Sequence, residues 1–137
     1  MKIIKTRYPS FPTVKVDRLL KIKPKKRWQV ICGDRRHYRI GIYSPEFTKC
    51  SEINILERHN CPEFFMLIKG KISLLIIDDR GRERILRLEP FKPVLVEGWH
   101  NGFSPDGKFK GVSIVVERDE FTTIYRTRGE LQIIKRR

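Results

Sequence analysis

No stretch of this 137-residue chain sustains a helical period. Instead, short β-prone runs are cut at close intervals by Gly, Pro and Asp. Tyr38-Arg39-Ile40-Gly41-Ile42-Tyr43 alternates and stops at Ser44-Pro45. Phe64 to Ile68 and Ile72 to Ile77 are apolar runs joined by Lys69-Gly70-Lys71, which reads as a hairpin turn with Gly supplying the permissive backbone. Asp78-Asp79-Arg80-Gly81 reads as a second turn before the strand Arg84 to Leu88. Glu89-Pro90-Phe91-Lys92-Pro93 breaks the ladder, because proline has no N–H to donate. Val94 to Glu97 is another strand; Ser104-Pro105-Asp106-Gly107 is a turn, and Gly111 to Glu117 a further strand. Val14 to Val16 and Trp28 to Cys32 are shorter β-prone runs, and Phe121 to Arg128 reads either as a short helix or as an extended tail. Eight or more short strands between turns predict a single all-β domain, a sandwich or barrel. Its length is enough to bury a core without staples.

Charge is the second constraint. Hydrophobic residues make up 39% and charged residues 34%, with a net charge of +14. Residues 1–28 hold ten Lys or Arg against the single Asp17 and so carry +9 of it, most densely at Lys21-Ile22-Lys23-Pro24-Lys25-Lys26-Arg27. Such a run can neutralise phosphates on nucleic acid, but no nucleic-acid motif accompanies it, and Tyr8, Phe11 and Trp28 show no stacking-platform spacing. A solvated basic arm is the favoured reading; attraction of an anionic small substrate, such as a phosphorylated or nucleotide-linked sugar, is another. Apolar runs such as Leu74 to Ile77 are strand-sized, so no membrane span is expected. No secretion signal is visible. Cys32, Cys50 and Cys61 are odd in number and lack C-x-x-C spacing, which predicts reduced thiols in a cytoplasmic protein.

The chemistry concentrates between Glu57 and Gly70 and at Trp99-His100-Asn101-Gly102. Period two puts Ile53, Ile55, Glu57 and His59 on one strand face, predicted to point inward, with Asn54, Leu56 and Arg58 on the other. The segment resembles the cupins, whose first motif runs Gly, five residues, His-x-His, three or four residues, Glu, six residues, Gly. Glu63 and Gly70 stand six residues apart, and His59 takes the second histidine position. Glu57 replaces the first histidine and Ser51 the first glycine. Of the second motif, His100 is present, with Leu95, Glu97 and Ser104 where Pro, Gly and Asn are usual. The resemblance covers about residues 51–117. It implies a cupin-type double-stranded β-helix, a jelly-roll barrel over 29–120. Around it lie a basic N-terminal arm with short strands (1–28), packed on the barrel, and a C-terminal tail or short helix (121–137).

The same resemblance marks Glu57, His59, Glu63 and His100 as the metal-ligand set, and Cys61 drops out as a turn residue before Pro62. Residues two apart on a strand project side by side, so Glu57 and His59 can reach one point. Glu63 is expected on the neighbouring strand and His100 on a third. Two imidazoles and two carboxylates suit one divalent ion such as Mn, Fe, Co, Ni or Zn, with two open positions for water, dioxygen or a hydroxy-carbonyl substrate. Glu57 and Glu63 are the candidate proton-moving carboxylates. Glu57 can alternatively pair with Arg84 or Arg87, and ligand-free barrels of this kind also fold. Arg39 and Tyr43 are candidates to line the cavity and bind an anion, and Trp99 and Phe103 to wall it. His37, in Asp34-Arg35-Arg36-His37, reads as a solvent-exposed turn residue. The expected function is a metal-dependent enzyme acting on a small oxygenated anion, isomerase- or dioxygenase-like. A non-catalytic ligand-binding or structural dimer is the alternative, and a nucleic-acid or anionic-polymer binder is less favoured. A homodimer exchanging N-terminal strands is expected.

Overall fold

The structure, a computed structural model, describes residues 1–7, 12 and 14–135. Among them, β1 (Lys2–Thr6), β11 (Phe121–Thr127), β4 (Ile55–His59), β9 (Trp99–Phe103), β6 (Ser73–Ile77) and β7 (Glu83–Arg87) form, in that order, a six-stranded sheet. The order β2 (Trp28–Asp34), β3 (Tyr38–Tyr43), β10 (Val112–Arg118), β5 (Glu63–Lys69), β8 (Val94–Val96) makes a five-stranded sheet. Every strand-to-strand pairing is antiparallel. From β4 onward the chain passes repeatedly between the two sheets, which is the jelly-roll winding expected from the pattern of short strands and turns.

Two apolar clusters explain the composition of the strands. Tyr43, Phe65, Leu67, Leu74, Ile76, Val96 and Val115 fill the space between the sheets. Ile53, Leu56, Leu75, Ile77, Trp99 and Leu131 form a second cluster. β6 contributes to both, Leu74 and Ile76 inward and Leu75 and Ile77 outward, so the run from Leu74 to Ile77 is apolar at every position rather than alternating. Leu131 comes from the helix α1 (Arg128–Lys135), which covers the outer side of the six-stranded sheet.

Several expectations change. Lys69-Gly70-Lys71 is not a hairpin turn: β5 pairs with β10 and β8, β6 with β7 and β9, and the segment carries the chain from one sheet to the other. Glycine is needed there for two reasons. Its φ is +64°, and a Cβ would collide with the backbone oxygen of Lys110. Of the stretch Phe121 to Arg128, expected as a short helix or an extended tail, residues 121–127 are the strand β11, hydrogen-bonded between β1 and β4. Its alternating Phe, Thr, Ile and Tyr are β-formers, and the helix begins only at Arg128. Val14 to Val16 forms no strand; Asp17 turns with φ +64°, and Val16 is 88% exposed. β1 pairs with β11 of its own chain. Tyr8 and Phe11 lie outside the described residues, as do Arg136 and Arg137.

The Asp78 turn does form a hairpin, between β6 and β7. Asp78 Oδ1 accepts from the N–H groups of Arg80 and Arg82, and Gly81 takes φ +74°.

Candidate metal centre

Strand parity and sheet register assemble the site. Glu57 and His59 occupy alternate positions of β4 and face the interior, as their spacing predicts. His100 on β9 lies directly opposite Glu57 in the ladder. Glu63, the first residue of β5, arrives from the facing five-stranded sheet rather than from a neighbouring strand. The four side chains can each offer one ligand atom, and these atoms all lie within 4.8 Å of one another. Both sheets therefore contribute, and the cluster sits between them.

The geometry is tightest around Glu63. Its Oε1 lies 2.6 Å from His59 Nε2 and 3.0 Å from His100 Nε2. Glu57 Oε1 stands further off, 3.8 and 3.7 Å from the same two nitrogens. Burial would raise the Glu63 carboxyl, but its contacts with the His100 and His59 rings outweigh that and hold it down at about 2. Burial likewise works against a charged His100. The contact with Glu63 and the charges of Glu63 and Glu57 prevail and raise it to about 9. The cluster thus favours positive charge at its centre.

The outward ring nitrogens are occupied. His100 Nδ1 is 2.9 Å from the Gly98 carbonyl, an acceptor, so Nδ1 carries a proton and Nε2 faces the centre. His59 Nδ1 is 2.8 Å from Thr123 Oγ1. This is the arrangement in which ring-positioning partners hold metal-binding histidines. His100 Nε2 and Glu63 Oε1, though close, are buried with no aligned hydrogen bond. Unsatisfied buried polar atoms are rare and carry a desolvation penalty. An ion bound about 2.0–2.2 Å from nitrogen and carboxylate oxygen would satisfy both. The residues present fit a divalent metal.

A cavity of about 190 Å³ opens on this cluster. Arg39 and Tyr43 line it, because β3 turns residues 39, 41 and 43 to one face. Arg39 Nε donates to Glu117 Oε1 at 2.7 Å, and its guanidinium lies 4.9 Å from the centroid of the Phe121 ring. Tyr43 is buried, and burial raises its pKa. Its hydroxyl approaches Gly102 so closely that a Cβ there would strike it.

Trp99 and Phe103 do not line the cavity. They are odd-numbered on a strand whose even position, His100, faces inward, and both pack in the outer cluster. Ile55, expected inside, is 52% exposed at the rim, and Leu56 on the other face is fully buried. Cys61 is buried outside the cluster, and burial raises its thiol. His37 sits in the exposed turn between β2 and β3.

Several lining residues escaped the sequence reading. Phe121, Thr123 and Tyr125 alternate on β11, a signal obscured by leaving that segment between helix and tail. Glu117 is in phase with Ser113 and Val115 on the buried face of β10, so a charge on an inward position was readable. Burial, then the charge of Glu63, raises the Glu117 carboxyl to about 7 in spite of Arg39. Arg27, in the basic run, also reaches the cavity, and nothing in its local sequence distinguishes it from its neighbours.

Solved structures share this two-sheet architecture. Hydroxypropylphosphonic acid epoxidase from S. wedmorenis, in complex with fosfomycin, matches with TM-score 0.53 and 13% identity over 82% of this chain and 61% of that one. Cobalt(II) HppE in complex with substrate matches with TM-score 0.53 and 16% identity over 72% and 57%. The fold is that of the cupins. A cupin-2 domain containing protein from Shewanella frigidimarina is similar at TM-score 0.49 and 14% identity, over 66% of this chain and 78% of that one. The chain spans about three fifths of the epoxidase chains it matches. No family model and no curated protein matches its sequence. No helix among the described residues is long and apolar enough to cross a membrane.

Proposed function

We propose that the protein is a metal-dependent enzyme acting on a small oxygenated anion. The observation that carries this reading is the convergence of Glu57, His59, Glu63 and His100 on one point beneath a cavity that also holds arginine side chains. His59, His100 and Glu63 make a two-histidine, one-carboxylate set, with Glu57 looser beside it, that suits a redox-capable ion such as iron(II), and the fold neighbours include an iron(II) and a cobalt(II) form of HppE. The cavity is smaller than the roughly 300–1,000 Å³ of drug-sized pockets, which restricts the guest to a compact molecule.

His59, Glu63 and His100 would hold the ion, with Glu57 as a fourth, looser ligand. A bound divalent ion supplies Lewis-acid polarisation of a carbonyl or hydroxyl oxygen. The chain's own residues supply the rest. Thr123 and the Gly98 carbonyl orient the imidazoles. Phe65 and Phe121 pack edge-on against the two rings and keep water from that side. Glu57, whose side chain is 26% exposed, is the carboxylate placed to take a proton from a substrate carbon or hydroxyl.

Elemental analysis of protein purified without chelator tests the reading. About one divalent ion per chain is expected, falling to background in a His59→Ala, His100→Ala double variant that keeps its β-sheet circular dichroism. Protein that stays metal-free after incubation with Mn, Fe, Ni and Zn overturns it. Stoichiometric metal without turnover of any small hydroxy- or oxo-acid favours a ligand-binding cupin instead.

A further inference from the structure

The inner cavity is not closed. It shares Ile4, Arg27, Glu57, Asn101 and Tyr125 with a larger outer groove of about 630 Å³, which runs over Phe47, Asn54 and Ile55. These five residues form the throat between the metal cluster and the outside. Arg27 is the cation among them.

The charges facing the inner cavity sort into two neutral groups and one remainder. Arg39 is paired with Glu117. A divalent ion, on the metal reading above, offsets Glu57 and Glu63. Arg27 is left with a 3.4 Å contact to the neutral Asn101 side chain, and among the described residues it has no ion pair within 4.0 Å. Its backbone oxygen accepts from Ser44 N–H, which ties this part of the basic segment to the end of β3. The Arg27 backbone is thereby held by the barrel, and its guanidinium, on an exposed residue, leans on the Asn101 side chain. Its field reaches both Tyr43 and Tyr125, one on each sheet of the cavity wall.

From this we infer that Arg27 is the substrate-anion clamp, a specificity-determining residue that holds the carboxylate or phosphonate of a small hydroxy acid in the throat while its hydroxyl oxygen reaches the metal cluster. The inference rests on the metal reading for two features, the charge in the cavity and the group that the hydroxyl oxygen meets. With the ion bound, the cavity presents a net positive charge at Arg27. Without it, the Glu57 and Glu63 carboxylates, offset only by the imidazoles beside them, take up the charge of Arg27, and an anion is held less tightly. Anion binding is therefore metal-dependent, and the neutral alcohol of the same size is discriminated against. Arginine suits the role because its planar fork binds both oxygens of an oxyanion group.

Isothermal titration with glycolate, methylphosphonate and ethylene glycol tests this, using protein whose metal content has been measured. The metal-loaded wild type should bind at least one of the two anions and bind ethylene glycol at least tenfold more weakly. Arg27→Gln should weaken anion binding tenfold or more with metal content unchanged, and Arg27→Lys should recover part of the loss. Equal anion affinity in wild type and Arg27→Gln at equal metal content overturns the clamp, as does the absence of anion binding to metal-loaded wild type. Failure to take up metal overturns the underlying site reading and is seen separately, in the elemental analysis. Tight anion binding by metal-free protein overturns the charge coupling.

Discussion

Glu57 and Glu63 offer the same functional group to the same two imidazoles, yet their environments separate them. Glu63 is buried in contact with both rings, and Glu57 is partly exposed and about an ångström further away. Glu63→Gln should therefore lower metal affinity more than Glu57→Gln, as measured by competition with a chromogenic chelator. Equal losses would place Glu57 as firmly in the ligand set as Glu63. Thr123→Val removes the oxygen that holds His59 Nδ1, and such supporting partners are worth roughly 10–100-fold in metal affinity. A loss of that size, with the fold intact by circular dichroism, is expected. The metal-free protein should also show a characteristic pH dependence. Glu63, lowered from 4.5 to about 2, adds stability that is fully present above 4.5 and lost as pH falls towards 2. His100, raised from 6.5 to about 9, adds stability that is present below 6.5 and lost as pH rises through 9. Glu117, raised from 4.5 to about 7, favours the folded state least once it is ionised, above about 7. Thermal melting of chelated protein should thus peak near the lower end of this window and decline from about pH 5 to 9. A melting temperature still rising across that range would contradict these assignments.

Among the elements, the crossing between β5 and β6 and the strand β11 are where local sequence was misleading. Lys69-Gly70-Lys71 has the composition of a hairpin turn, and composition alone does not say whether the two flanking strands pair. The glycine was legible, but its reason was not: the backbone of Lys110, forty residues away, leaves no room for a side chain. Gly70→Ala combines that collision with a positive φ. It should destabilise by more than the roughly 0.4–1 kcal/mol of an ordinary glycine effect, read from urea denaturation. Phe121 to Thr127 carries the alternation of a strand, but it follows the last obvious turn and has β partners only at residues 2–6 and 55–59. Leu131 shows that the segment beyond it belongs to the folded unit. It is fully buried beneath the six-stranded sheet, so Leu131→Ala should lower stability by about 2–5 kcal/mol. A change below about 0.5 kcal/mol would mean that α1 is not docked in solution.

For the molecule as a whole, a metal that binds only the folded barrel must stabilise it. At a free ion concentration one hundred times Kd the gain is about 2.7 kcal/mol, which for a chain of this size raises the melting temperature by several degrees. Chelation should reverse the shift in wild type and have no effect on the His59→Ala, His100→Ala variant. The resemblance to the cupins added Glu63 and His100 to the ligand set; the sequence alone determined that the chain is a β-protein and that Glu57 and His59 project together. Those properties follow from period two and from residue chemistry, which are local. Tertiary structure alone decided that Glu63 comes from the opposite sheet, that Trp99 and Phe103 belong to the outer cluster, and that β11 completes the cavity wall. It also singled out Arg27 from the five cations of the run between residues 21 and 27. The physical reason is common to all of these. Period two tells which residues share a face but not which face is inward when both are buried, and strand partners are chosen by packing between segments far apart in the chain.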